Sequence, residues 1–324
     1  MLLGRLPSLA TVGIGSLPFI DERAAVRHAT RAYDVPFCPQ LPALDGDMID
    51  EWLGADPARC GWTPDRDRPE PRAWTAFTAA VADRPPPHGI VKLQVTGPLT
   101  LAAGLQRASG ATAFGRSTTE LAAELAAWLA GNAAGQIQAL RDLGLDTLLV
   151  VDEPGLAHLS ATARDVAVWD PLRAVASAWG LHVCGPVPWR LVEIAEPDLI
   201  SYDLVRYGIE VEAGHVLARH LDRGGRVAFG AIDATAPPGP TAIVGRVKAP
   251  LVTIARILGR PLPALAASML LSPSCGTGRL SGQRERLVAA ELGAASMLLR
   301  DFVDSPRAAE LHRPQFRPQS TGTP

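Results

Sequence analysis

Along almost the whole chain, short runs of β-branched residues and leucine alternate with amphipathic Ala/Leu/Arg segments, separated by turns that carry Gly, Pro or Asp. Two parallel strands need a crossover of about a dozen residues or more, usually helical, so this alternation argues for parallel strands joined by helices rather than for hairpins. Candidate strands fall at residues 11–17, 35–41, 90–96, 147–151, 181–184, 199–203, 226–232 and 269–272. Eight such units in 324 residues predict a single α/β domain of the (β/α)8 TIM-barrel class. Helices are expected at 21–33, 117–143, 162–179, 189–195, 210–221, 241–258 and 281–302, with Ser117 to Glu120 as a capping signal for the longest. The stretch between the second and third strands, 46–84, is longer than a crossover requires and predicts extra helices or a lid. The barrel is expected over residues 1–303, with 304–324, polar and proline-rich, as a loosely ordered tail.

Composition narrows the partners. Hydrophobic residues make up 47% and charged ones 20%, which fits a packed globule rather than a disordered chain. The net charge of −2, without a block of Lys and Arg, gives no footprint for nucleic acid or an anionic membrane. No apolar stretch is long enough to span a bilayer and the N-terminus lacks a signal-peptide pattern, so the expected location is cytoplasmic. Four cysteines do not read as a disulfide framework. Cys38 and Cys60 read as small buried hydrophobes, and Arg23, Arg27 and Arg31 as a solvated helical face.

Barrel active sites lie at the C-terminal ends of the strands, and the polar residues collect there. Those ends carry Ser16, Gln40, Thr96-Gly97-Pro98, Asp152-Glu153-Pro154, His182-Val183-Cys184, Asp203, Asp233 and Ser274-Cys275-Gly276. Residues i and i+2 of a strand share a face, so His182 and Cys184 project together. Imidazole and thiolate suit zinc, and Cys275 with Asp203 would complete four ligands. Each residue also has an ordinary alternative: a buried structural His or thiol, or a helix-capping Asp. Zinc would hold a thiol substrate deprotonated near neutral pH, where a free thiol of pKa about 8.5 is mostly protonated.

The motifs Ile14-Gly15-Ser16-Leu17-Pro18, Thr96-Gly97-Pro98-Leu99-Thr100, Asp152-Glu153-Pro154, His182-Val183-Cys184, 198–203 and Pro273-Ser274-Cys275-Gly276 follow one another in order. In them the chain resembles the C-terminal catalytic barrel of cobalamin-independent methionine synthase, within the superfamily that includes uroporphyrinogen decarboxylase. The resemblance implies zinc on His182, Cys184 and Cys275, with Asp203 where the family has a longer glutamate. It implies a homocysteine-like substrate held by Ile14, Gly15 and Ser16 at its carboxylate and by Asp152 at its amino group.

Departures cluster at the methyl-donor end. The family's second amine-clasping carboxylate falls at Pro42, its folate-stacking tryptophan at Gly104, a folate-contacting acid at His158, and its proton-donating histidine near Asp233 and Thr235. The N-terminal barrel that helps bind folate has no counterpart. The expected activity is therefore zinc-dependent methyl transfer to a small thiol, forming methionine or a like thioether, with a methylcorrinoid protein as a possible donor in place of methyltetrahydrofolate. Zinc-dependent alkyl transfer or C–S chemistry on another thiol is an alternative. So is a barrel that binds a thiol or corrinoid partner without turnover.

Overall fold

The computed structural model of the protein describes residues 2–54, 70–109, 117–156, 163–306 and 308. Its centre is a parallel sheet of seven strands: β1 (Ala10–Thr11), β2 (Ile90–Thr96), β3 (Asp146–Asp152), β4 (Ala178–Val183), β5 (Leu199–Tyr202), β6 (Arg226–Ile232) and β7 (Met269–Pro273). They run in the order β1-β7-β6-β5-β4-β3-β2. The second expected strand, 35–41, is not a strand; it makes isolated parallel bridges, Val35 to Val12 and Gln40 to Ser16 on one side and Phe37 to Lys92 on the other. Pro36 and Pro39 interrupt the donors a continuous ladder needs there. The segment still links the two edges of the sheet, through Val35 N to Thr11 O at 3.0 Å and Lys92 N to Pro36 O at 2.8 Å. The architecture is a TIM-like barrel with this one sparsely bonded seam.

Alternation along the strands sorts the interior into two layers. Ala10, Val12, Val35, Ile90, Leu148, Val150, Ala178, Leu199, Ala228 and Leu270 form one apolar cluster with Leu3 and Leu6, which close the N-terminal end from a 3-10 turn, Leu2–Arg5. Further along most of the strands, on the same face, the side chains turn polar. They are Lys92 and Gln94 on β2, Asp152 on β3, His182 on β4, Ser201 on β5 and Ser272 on β7, all at most 9% exposed. The barrel is thus dry at one end and lined with polar groups at the other.

A second, larger core joins the outer faces of the strands to the helices. The 25-residue helix Thr118–Asp142 starts on a capping box, in which the Ser117 hydroxyl accepts from Glu120 N–H and the Glu120 carboxylate accepts from Ser117 N–H. The last helix, Gly282–Val303, is pinned to the first, Glu22–Arg31, by the buried Glu285, which accepts from Tyr33 Oη at 2.7 Å and bonds His28 Nε2 at 2.9 Å. Arg23, Arg27 and Arg31 are exposed and Cys38 is buried, as expected. Extra helices do occupy the long second connection, at Pro42–Asp45, Asp50–Leu53 and Trp74–Asp83.

The helix expected at 162–179 is shorter, a 3-10 segment Ala163–Trp169 followed by Asp170–Val175. Ala178 and Trp179 belong to β4 instead, where the apolar run Ala178–Val183 is buried throughout. Among the described residues no helix is long and apolar enough to cross a membrane. His158, Cys60 and the tail from 309 onward lie outside the described residues.

Candidate active site

At the polar end of the barrel lies a cavity of about 300 Å³, near the lower limit of pockets that hold small ligands. Ile14, Ser16, Asp152, His182, Cys184 and Cys275 line it together. These residues come from four places in the chain, and parallel pairing assembles them. Asp152 pairs with His182 across β3 and β4, and His182 with Ser201 across β4 and β5. Cys184, just past β4, and Cys275, just past β7, meet across the mouth and share a hydrogen bond.

The electrostatics of these groups follow from their neighbours. His182 is 3% exposed, its Nδ1 lies 2.9 Å from Ser201 Oγ, and its Nε2 is buried with no partner. Burial lowers its pKa to about 3, so the imidazole is neutral and one ring nitrogen is free to ligate. The hydrogen bond between the thiols splits them. It lowers Cys275 to about 7 and, with burial, pushes Cys184 far up, so one thiolate is stabilised by the other thiol's proton. Burial raises Asp152 to about 7 against the pull of nearby Lys92, and Asp152 Oδ1 has no partner.

Lys92 was not anticipated. It is buried inside the barrel, donates to Ile14 O and, at 3.2 Å, to Gln94 Oε1, and burial lowers its pKa to about 8. It therefore holds the 14–16 loop from below. That loop is also strapped from above: Thr277 N and Oγ1 each donate to Ser16 O at 3.1 Å, and Gly278 N donates to Ser16 Oγ at 3.3 Å. A Cβ on Gly276 would sit 2.1 Å from Ser16 Oγ, so the approach requires glycine. The Ser16 hydroxyl keeps its own proton to donate into the cavity.

Asp152 and Glu153 divide by strand parity. Asp152 faces the cavity, whereas Glu153 points outward and caps the helix Pro98–Ser109. Glu153 Oε1 accepts from Leu99 N and Trp169 Nε1 at 3.1 Å each, and Oε2 from Thr100 N at 2.9 Å. The motifs Thr96-Gly97-Pro98 and Asp152-Glu153-Pro154 are thus joined by one fully satisfied carboxylate.

Three expected positions stand apart from the cavity. Asp203 caps the short helix Leu204–Tyr207, its Oδ1 accepting from Arg206 N at 2.9 Å, and burial raises its pKa. Asp233 accepts from Thr235 N at 2.9 Å and Oγ1 at 2.7 Å, which holds it ionised, so this pair is turned on itself rather than offered as an acid. Gly104 lies in the helix Pro98–Ser109 with Ile49 where a side chain would go, 2.9 Å from a built Cβ. Pro42 does line the cavity, and sequence reasoning missed Asp47, Met48 and Arg279 beside it.

Among the described residues no three His, Cys, Asp or Glu side chains are already arranged as a metal cage. The donor chemistry nevertheless fits a borderline-soft cation, since an orphaned imidazole nitrogen and two bonded thiols line one cavity.

The fold and cavity define a curled seven-stranded parallel sheet of TIM-barrel-like form with thiol and imidazole groups lining a cavity at its polar end. No family model and no curated protein matches the chain. Among solved structures it is similar to a methyltransferase from Methanosarcina mazei, at a TM-score of 0.56 and 13% identity, over 94% of this chain and 97% of that one. At this identity the likeness is one of fold.

Proposed function

We propose that the protein is an enzyme that transfers a methyl group to the sulfur of a small thiol. The observation that carries this reading is the meeting of Cys184, Cys275 and the orphaned His182 Nε2 in one small cavity that Asp152 and Ser16 also line. The shared fold with a methyltransferase supports it. His182, Cys184 and Cys275 would hold zinc, with Asp203, whose Oδ1 caps Arg206 N–H, as the fourth ligand through its other oxygen. A zinc ion there supplies the Lewis acidity that keeps an incoming thiol as thiolate near neutral pH.

The protein's own groups bind and orient the substrate. The Ser16 hydroxyl donates to it, Asp152 faces any cationic head, and Lys92 keeps the Ile14 carbonyl in register beneath. The neutral His182 is fixed by Ser201, so its ring does not need to reorient during turnover. The thiolate attacks the methyl carbon in line, the C–S bond forming as the bond to the donor breaks. The thiol's proton has by then left to solvent.

The cavity is sized for one small ligand, and Ile49 fills the place of a stacking ring at Gly104. A donor that presents its methyl group from outside, such as a methylcorrinoid protein, therefore suits it better than a folate bound within. Purified protein is expected to carry close to one zinc per chain by elemental analysis. Cys275→Ser and His182→Ala are expected to lose both the metal and thiol methylation. Stoichiometric zinc retained by both variants would sink the assignment.

A further inference from the structure

The cavity carries an arginine on its wall that the proposed chemistry has not used. Arg279 lines it with Cys184, Cys275, Asp47 and Asp152. Its side chain is exposed and, among the described residues, makes no hydrogen bond or ion pair. It is nonetheless well placed, because it ends the turn Cys275-Gly276-Thr277-Gly278-Arg279, whose Thr277 and Gly278 are strapped to Ser16. Its charge already acts on the Cys275 sulfur, four residues earlier.

The nearby acids have other engagements. Asp47 Oδ1 accepts from Ile49 N at 2.8 Å and Asp50 N at 3.0 Å, and Asp152 lies at the cavity floor in the field of Lys92. A guanidinium offers planar, paired donors that match an oxyanion in two-pronged fashion. The same cavity is lined by Asp152 and His182, whose buried Oδ1 and Nε2 are unpartnered and mark it as a place for polar ligand atoms.

We propose that Arg279 is the specificity-determining residue that recognises an anionic group, a carboxylate or a sulfonate, at the end of the thiol substrate remote from sulfur. This rests on the thiol reading given above. A cavity of about 300 Å³ that Arg279 and Cys275 both line suits a mercapto acid of a few carbons rather than a large conjugate.

Calorimetric titration of the full chain with its metal, using three thiols of three carbons each, tests it. The probes are 3-mercaptopropionate, 3-mercapto-1-propanesulfonate and the neutral 3-mercapto-1-propanol. The wild type is expected to bind at least one acid about tenfold more tightly than the alcohol. Arg279→Gln should abolish that preference while leaving the alcohol's affinity unchanged, and Arg279→Lys should keep part of it. The preferred acid identifies the anion. Equal binding of all three thiols by the wild type, or an undiminished preference in Arg279→Gln, overturns the proposal alone. Binding of none of them overturns the thiol reading and this proposal with it.

Discussion

Gly97 and Glu153 show how a residue close to chemistry can serve only structure. A Cβ on Gly97 would lie 2.0 Å from the Glu153 carboxyl carbon, which already holds Leu99, Thr100 and Trp169. Gly97→Ala must displace a buried, hydrogen-bonded carboxylate, and a loss of about 3 kcal/mol or more in urea unfolding is expected. Metal content of the folded fraction should stay at the wild-type level. Parity made this division legible, since Asp152 and Glu153 are consecutive on a strand and cannot share a face. Asp203 was not legible in the same way. A carboxylate at a strand's C-terminal end can ligate or cap with the same sequence signature, and its cap on Arg206 N–H shows only in three dimensions. Arg279 had no signal, because nothing in one sequence separates it from surface arginines.

Among the elements, those with sharp chemistry at their ends were readable. The Ser117 capping box and the β-rich runs of β2 and β6 lie where their residues predict. The stretch before β4 was not, because Ala and Trp extend a helical pattern and a buried strand equally well, and only pairing with β3 claims Ala178 and Trp179 for the sheet. The helix Val211–Asp222 has a testable fastening to β6. His220 Nε2 donates to Arg226 O at 2.8 Å, and burial lowers its pKa from 6.5 to about 4. A depressed folded pKa gives stability that is full above about pH 6.5 and is lost as pH falls through about 4, here amounting to roughly 3 kcal/mol. Stability measured across this window should fall less steeply in His220→Gln, which keeps an N–H donor but cannot titrate. An unchanged slope would show that His220 does not carry the dependence.

For the whole molecule, the strand–helix alternation was enough to predict a barrel-like parallel sheet. It was not enough to predict the weakness at the second position, because Val35, Phe37 and Leu41 read as a strand while Pro36 and Pro39 remove its ladder donors. Amide hydrogen exchange should therefore be fastest, among barrel segments, at residues 35–40, and slowest in β3 and β6, which are paired on both sides. Equal protection around the sheet would contradict the sparse bonding.

That unevenness has a mechanical meaning for the cavity. His182, Cys184, Asp152 and Cys275 stand on the continuously laddered wall, whereas Ile14, Ser16, Gln40 and Pro42 stand at the seam. Asp152 and His182 share a continuously bonded frame, whereas Gln40 belongs to a segment held by isolated bridges. Strain arriving at that seam can be absorbed there without breaking the ladder that carries Asp152 and His182.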